Sequence, residues 1–102
     1  MDKSELDRKY ELMFIVDAKL TSDQKNDLCK EATDTIVKDG GRVLNNQVWM
    51  EKHKLTFPIK KCHEGTYYLV NFESEGKNIA KISSDLKLKE KILRFSVLNT
   101  KN

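Results

Sequence analysis

The chain has 102 residues, of which 38% are apolar and 34% are charged. This length predicts one domain with a modest core, because two domains of half the size would bury too little surface to be stable. Lys and Arg exceed Asp and Glu by 19 to 16, and the net charge of +3 permits RNA binding without requiring it. We expect a single domain over residues 1–102, with frayed tails at about 1–7 and 100–102.

The sequence carries no signal for export or membrane insertion. Its first residues, MDKSELDRKYE, are polar, and no apolar run approaches the roughly 20 residues that span a bilayer. Cys29 and Cys62 lie far apart and form no CxxC pair, which predicts free thiols. Cys62 beside His63, with His53 nearby, lacks the paired spacing of a zinc site. We expect a soluble, cytoplasmic protein with no metal, cofactor, small-molecule substrate or catalytic residue.

The first half of the chain predicts a strand and then a helix. Residues 9–17 alternate in the manner of a central strand, with one apolar face and one mixed face. The apolar face has Leu12, Phe14 and Val16, and the mixed face has Glu11, Met13 and Ile15. A capping box of Thr21 and Gln24 starts a helix over residues 22–39, which Gly40-Gly41 ends. The apolar stripe of this helix comprises Leu28, Cys29, Ala32, Ile36 and Val37.

The second half predicts a hairpin, a short helix and a last strand. Residues 42–59 are strand-like, and Pro58 places them at the sheet edge because it cannot donate a ladder hydrogen bond. We expect the hairpin turn at residues 62–65 and the returning strand at residues 66–73. After a polar break at residues 74–77, a helix carries Ile79, Ile82 and Leu86. In the final strand, residues 92–98, Leu93, Phe95 and Val97 share one face, and Ile92, Arg94, Ser96 and Leu98 share the other.

These elements follow the order βαββαβ, which is the ferredoxin-like, split βαβ arrangement of the α+β class. Right-handed crossovers put both helices on one face of a four-stranded antiparallel sheet. The other face, called the open face below, has no helix. The order of elements does not determine function, because enzymes, regulators and RNA-binding proteins share it.

The segment between the helices carries a family resemblance. Residues 52–61 read KHKLTFPIKK, followed by Gly65 and Tyr67. This resembles the hallmark of the S6 family of small-subunit ribosomal proteins: basic residues, Leu-Ala-Tyr-Pro-Ile-x-Lys, a turn with Gly, and a Tyr-bearing strand. RKYE at residues 8–11 resembles the family's Arg-x-Tyr-Glu opening, and ILRF at residues 92–95 resembles its basic final strand. The resemblance covers residues 8–99.

The sequence departs from the family pattern in three places. Met50-Glu51 stand where many members have Trp-Gly, and Trp49 lies one residue earlier, which predicts a different local strand path or a bulge. Thr56-Phe57 replace Ala-Tyr, so a phenolic hydroxyl is missing. His53 stands where a permanent cation is common.

The resemblance implies a structural constituent of the small ribosomal subunit. It would bind the central domain, or platform, of small-subunit rRNA as a heterodimer with ribosomal protein S18, supporting assembly and translation. The candidate rRNA-binding residues are cations that meet phosphates: Arg8, Lys52, Lys54, Lys60, Lys61 and Arg94. The candidates for contacts with rRNA or the partner are Tyr10, His53, Phe57 and Tyr67. No reaction or cofactor is implied.

The strand pattern adds two geometric expectations. Lys52, Lys54 and Lys60 should share one side of the hairpin, with Lys61 on the other side or in the turn. The open face should carry an apolar strip that S18 or rRNA covers in part, made of Met13, Ile15, Leu69 and Leu98.

Two other functions fit the same order of elements. An RNA-recognition motif is one, because residues 65–72 and 13–16 loosely resemble its RNP1 and RNP2 strands, although Glu64 stands where RNP1 has a cation. An ACT-like small-molecule regulatory domain is the other, but it needs a glycine-containing ligand loop after the first strand, and residues 17–20 contain no glycine.

Overall fold

The computed structural model describes residues 7–100 and has the predicted order of elements. The elements are β1 (Asp7–Asp17), α1 (Ser22–Lys38), β2 (Arg42–Ile59), β3 (Cys62–Glu75), α2 (Ile79–Lys87) and β4 (Ile92–Asn99). The four strands form one antiparallel sheet in the order β2-β3-β1-β4. The ferredoxin-like fold and the edge position of β2 are therefore confirmed.

The predicted tails lie mostly outside the described residues, at 1–6 and 101–102. Asp7 already belongs to β1. At the other end, the Thr100 amide donates to the Lys9 carbonyl at 2.8 Å, which continues the pairing of β4 with β1. Neither helix is long and apolar enough to cross a membrane within this part of the chain.

The core lies between the sheet and the two helices. Leu12, Phe14 and Val16 of β1 have no exposed surface, and they occupy its centre. The apolar partners from the helices are Leu28, Cys29, Ala32, Ile36, Ile82 and Leu86. Phe14 stacks on Tyr68 of β3 with ring centroids 5.1 Å apart. Burial, with Cys29 alongside, raises the pKa of Tyr68 to about 12.

Helix α1 begins and ends where its terminal residues predict. Thr21 Oγ1 accepts from the Gln24 amide at 3.1 Å, and Gln24 Oε1 accepts from the Thr21 amide at 3.0 Å. At the other end, Gly40 has φ +98°. The Gly41 amide donates to the Ile36 carbonyl and the Gly40 amide to the Val37 carbonyl. This is a Schellman motif, which needs the left-handed conformation that glycine adopts without strain.

Two predicted packing assignments are wrong. Val37 is 57% exposed, because the apolar stripe of α1 that contacts the sheet runs through Leu28, Ala32 and Ile36 instead. Ile92 was placed opposite Phe95 and Val97, but all three contact the same core. A bulge explains this, since the register of β4 shifts between Arg94, opposite Ile15, and Ile92, opposite Val16.

The hairpin turn also differs from the prediction. Ile59 pairs with Cys62, so the turn is Lys60-Lys61, with φ values of 50° and 68°. Two positive φ angles in a two-residue loop are the geometry of a type I′ turn. The sequence favoured residues 62–65 because glycine is the usual turn residue. Gly65 instead lies within β3, where its missing side chain serves a contact described below.

A pair of carboxyl groups joins the ends of the two helices. Asp39 follows α1, and its Oδ2 is buried without a donor among residues 7–100. Burial first, and then the hydrogen bond with Asp85 of α2, raise the pKa of Asp39. The same hydrogen bond, together with Lys81, lowers the pKa of Asp85. The two carboxyl groups are therefore most stable when they share one proton.

We predict that replacing Asp39 changes how stability depends on pH. The contribution of Asp85 is lost as the pH falls through its lowered pKa, and that of Asp39 is lost as the pH rises through its raised pKa. Asp39→Asn keeps a donor at every pH. Its free energy of unfolding, relative to the parent chain, should therefore increase as the pH rises from about 4 to 8.

Urea unfolding of both chains at several pH values measures this difference. Asp27→Asn, at an exposed position of α1, removes the same charge and serves as the control. A difference between Asp39→Asn and the parent that stays constant over the whole pH range would contradict the shared proton.

Candidate nucleic-acid interface

The β2–β3 hairpin extends beyond the rest of the sheet. The last residue of β1, Asp17, pairs with Gly65, so the residues between Lys54 and Glu64 have no β1 partner. Residues 52–63 carry four lysines and two histidines and no acidic residue. We call this segment the basic hairpin. Its position leaves cations on a projecting element that phosphates can approach from several sides.

Irregular pairing shapes this hairpin. The register of β2 shifts between Val48 and Met50 and again between Met50 and His53, where the sequence departs from the family pattern. The buried Thr66 hydroxyl donates to the Glu51 carbonyl within the second shift. A third shift lies between Lys54, which pairs with Glu64, and Ile59, which pairs with Cys62. Residues 55–58 of β2 therefore lie opposite the single residue His63 of β3. Pro58 lies in this third irregularity, where no ladder bond requires its nitrogen.

A close contact at Gly65 fixes where the hairpin leaves the sheet. A Cβ atom on Gly65 would lie 2.5 Å from Ile15 Cγ2 and 3.5 Å from Leu55 Cδ2. Leu55 is 8% exposed and Ile15 is 3% exposed. The expected open-face strip is therefore smaller than predicted. Ile15 is buried by the hairpin, while Leu98 is 57% exposed and Met13 and Leu69 are half-buried.

An aromatic cluster lies on the open face beside the hairpin. Tyr67 pairs with Ile15 and therefore shares its face. The ring of Tyr67 contacts His53 edge-on at 5.4 Å and Trp49 edge-on at 5.8 Å. Trp49, 54% exposed, was not among the predicted site residues. The sequence signal that could have identified it is a tryptophan at the point where the edge strand departs from the family pattern.

A groove runs from this cluster across the open face to β4. We call it the open-face groove; it has a volume of about 170 Å³, and its lining includes Ile15, Leu55, Phe57, Tyr67 and Arg94. Phe57 is 77% exposed, so its ring is free to contact a ligand. Arg94 pairs with Ile15, which places its exposed side chain on the open face. The groove thus combines aromatic walls with one cation.

Of the two turn lysines, Lys60 differs from the prediction, whereas Lys61 occupies the turn, one of the two positions predicted for it. Lys60 does not continue the face of Lys52 and Lys54, because it occupies the type I′ turn. Its Nζ donates to the Glu90 carbonyl at 3.0 Å, which ties the hairpin tip to the loop before β4. Lys61, also in the turn, is exposed. Lys60 therefore has a structural contact in addition to its charge.

Most of the candidate cations are available for binding. Within the described residues, no acidic group forms an ion pair with Lys52, Lys54, Lys61 or Arg94. Elsewhere, cations do pair, for example Lys38 with Asp85 at 3.9 Å. Lys52 and Lys54 are exposed. These side chains need not break a bond within the protein to reach a phosphate.

Two predicted site residues lie apart from the rest. Arg8 is seven residues from Ile15 along β1, or roughly 23 Å, so it is exposed at the opposite end of the sheet from Arg94. Tyr10 is 7% exposed and stacks on Phe72 with ring centroids 5.6 Å apart. The prediction that Tyr10 contacts rRNA or a partner is corrected here, because its ring is part of the core.

The described residues contain no group of three or more His, Cys, Asp or Glu side chains that could hold a metal ion. Cys29 and Cys62 are both free thiols.

Among the aromatic residues of β3, only Tyr67 shares the open face, since Tyr68 and Phe72 belong to the core. An RNA-recognition motif stacks two or three bases on such strands, and this face does not offer the same platform.

Residues 9–99 match the family model of ribosomal protein S6. The chain belongs to the ribosomal protein S6 family. This membership makes it a cytoplasmic protein of the small ribosomal subunit and not an enzyme. The chain is therefore neither an RNA-recognition motif nor an ACT-like domain.

Relatives and a solved structure agree with this membership. The small ribosomal subunit protein bS6 of Fusobacterium nucleatum is 30% identical over 91 residues, covering 89% of this chain and 96% of that protein. The bS6 protein of Corynebacterium aurimucosum is 36% identical, covering 91% and 96%. With the bS6 protein of Rhodopirellula baltica, 35% identical, the match covers 83% of this chain but only 60% of the relative.

The crystal structure of ribosomal protein S6 from Thermotoga maritima superposes with a TM-score of 0.80 at 25% identity, covering 92% of this chain and 88% of that one. The C-terminal domain of the MgtC protein from Mycobacterium tuberculosis superposes with a TM-score of 0.62 at 6% identity. The second likeness shows only that the fold is shared.

The two thiols of this S6-family chain should differ in reactivity. Burial raises the pKa of Cys29, and burial followed by the neighbouring Asp17 carboxylate raises the pKa of Cys62. Both thiols are therefore poor nucleophiles, and access decides the order of reaction. Cys62, half-buried at the start of β3, should react first with a maleimide, and buried Cys29 only when the core opens.

Mass spectrometry of the labelled, folded chain measures both rates. In Cys62→Ser, labelling should stay low until a denaturant is added. Equal labelling of Cys29 and Cys62 in the folded chain would refute the position of Cys29 between α1 and the sheet.

Proposed function

We propose that this S6-family chain binds the central domain of small-subunit rRNA together with ribosomal protein S18, and that the basic hairpin is its main RNA contact. The observation that carries the proposal is the acid-free segment at residues 52–63, which projects beyond β1. In this role the chain supports assembly of the subunit platform and, through it, translation.

The basic hairpin suits phosphate binding for two physical reasons. Lysines that neutralise phosphates release counterions from the RNA, and this release favours binding most at low salt. The hairpin also has a fixed origin, because the Gly65 contact and the Lys60–Glu90 hydrogen bond hold both of its ends. A fixed backbone with mobile lysine side chains places charge at a set position while the side chains adapt to the RNA.

The aromatic cluster gives the interface a way to recognise bases. Bases of single-stranded RNA stack on aromatic rings, and phosphate contacts alone carry no sequence information. Tyr67, Trp49 and His53 stand together on the open face, and Phe57 is exposed on the hairpin. We assign the phosphate contacts to Lys52, Lys54, Lys60, Lys61 and Arg94, and assign base or partner contacts to these rings. Arg8 would meet a separate part of the assembly.

The open face is the surface we assign to S18. Leu98 of β4 is 57% exposed there; half-buried Met13 lies on the neighbouring strand β1, and half-buried Leu69 pairs with Met13 from β3. Contiguous apolar surface of this kind marks interaction sites on soluble proteins. A basic partner would also find Glu11, which pairs with Leu98 and shares the same face.

We predict that removing three hairpin lysines weakens rRNA binding without unfolding the chain. The variant is Lys52→Ala, Lys54→Ala and Lys61→Ala; Lys60 is kept because of its bond to Glu90. Each exposed substitution should change stability by less than about 0.5 kcal/mol. The log–log dependence of rRNA affinity on salt should become shallower by roughly 0.7 to 0.9 per lysine.

The measurement is a salt titration of binding to small-subunit rRNA with S18 present. The control removes the same charge from exposed sites outside the hairpin, with Lys19→Ala, Lys30→Ala and Lys91→Ala. A folded hairpin variant that keeps the full salt slope and assembles into subunits at the parent level would end the proposal.

A second prediction tests the S18 surface. Leu98→Ser should weaken S18 binding by about 1 to 2 kcal/mol, or roughly five- to thirty-fold, because an exposed leucine would no longer be buried on association. Val37→Ser is the matched control, since Val37 is equally exposed, at 57%, but lies on α1. Calorimetric titration with S18 measures both variants. Equal affinity of the two variants for S18 would exclude the open face as its docking surface.

A further inference from the structure

A second groove lies at the end of the sheet, on the far side of Arg94 from the open-face groove. We call it the end groove; it is formed by the hairpin tip, the last turn of α2 and the start of β4. Its volume is about 500 Å³, within the range of ~300 to 1,000 Å³ that is typical of small-molecule sites. Its floor includes Leu86 and Ile92, which are 1% and 5% exposed.

The rim of the end groove is cationic. Four of its lining residues are Lys60, Lys87, Lys89 and Arg94, and no acidic side chain lines it. Among the described residues, Lys89 reaches Glu31 at 3.8 Å, while Lys87 and Arg94 form no ion pair. An apolar floor with several cations at its rim suits a ligand with one flat apolar part and one phosphate.

The two grooves share a wall. Arg94 lines both of them, and the Lys60–Glu90 hydrogen bond holds the hairpin tip against the loop that precedes β4. A strand that stacks a base on the aromatic cluster can therefore continue past Arg94 into the end groove. The bases of an RNA duplex face inward and could not enter either groove, so the arrangement suits an unpaired segment.

We propose that the end groove holds one unpaired nucleotide of RNA, with its phosphate bound by Lys87, Lys89 and Arg94 and its base above Leu86 and Ile92. This inference rests on the proposed rRNA binding and adds contacts from α2 and β4 to those of the hairpin. The RNA that binds at this end of the protein would be single-stranded.

The first test uses adenosine 5′-monophosphate as the probe. Titrated into the isotope-labelled chain, it should shift the amide resonances of residues 83–95 more than those of the remaining chain. Adenosine, which lacks the phosphate, should shift them much less. The Lys87→Ala, Lys89→Ala variant should lose the response, and the matched Lys19→Ala, Lys30→Ala variant should keep it. A response located elsewhere, or one that survives in the Lys87 and Lys89 variant, would overturn the site.

The second test measures rRNA affinity against salt for the same two variants, with thermal melts to confirm folding. Because Lys87 and Lys89 bind the same phosphate, their loss should flatten the slope by up to roughly 0.7 to 0.9, the value for one phosphate contact. A normal slope for this variant, with a flattened slope for the hairpin variant, overturns the end groove and leaves the proposed function standing. Normal slopes for both variants overturn the two proposals together.

Discussion

The complete burial of one face of β1 is the constraint on which the remaining structure depends. Leu12, Phe14 and Val16 have no exposed surface, and β1 is hydrogen-bonded on both sides. A shift of one residue in register would turn this face toward solvent, so the pairing with β3 and β4 is strongly determined. Because the register fixes Gly65 opposite Asp17, it also fixes the point at which the basic hairpin leaves the sheet.

Sequence patterns predicted the parts of the fold that local chemistry determines. The capping box at Thr21 and the glycines at residues 40–41 located α1, because each residue acts through hydrogen bonds within a few positions of itself. The turn at Lys60-Lys61 was missed, since left-handed lysines are uncommon and Gly65 gave a stronger turn signal. What Gly65 does in the structure depends on Ile15, fifty residues earlier in the chain, which no local pattern can reveal.

In the candidate site, too, local sequence predicted some features, and contacts between distant residues determined the others. The basic run at residues 52–61 and the family resemblance identified the hairpin, but strand alternation could not locate its side chains, because four register shifts interrupt β2. Tyr10 follows the family motif, yet it packs on Phe72, since its position in β1 faces the helices. Trp49 joins Tyr67 through one of the bulges. Lys87 and Lys89 line the end groove because the fold brings the end of α2 beside the hairpin tip.

The type I′ turn shows how charge and backbone preference oppose each other. Asn-Gly would adopt this turn without strain, whereas each left-handed L-residue other than glycine, asparagine or aspartate costs roughly 1 to 2 kcal/mol. The chain places Lys60 and Lys61 there, with φ values of 50° and 68°. A search for thermostable forms would therefore favour replacement of these lysines, and each replacement would remove a cation from the tip. Stability and ribosomal function would then select different sequences for the same two positions.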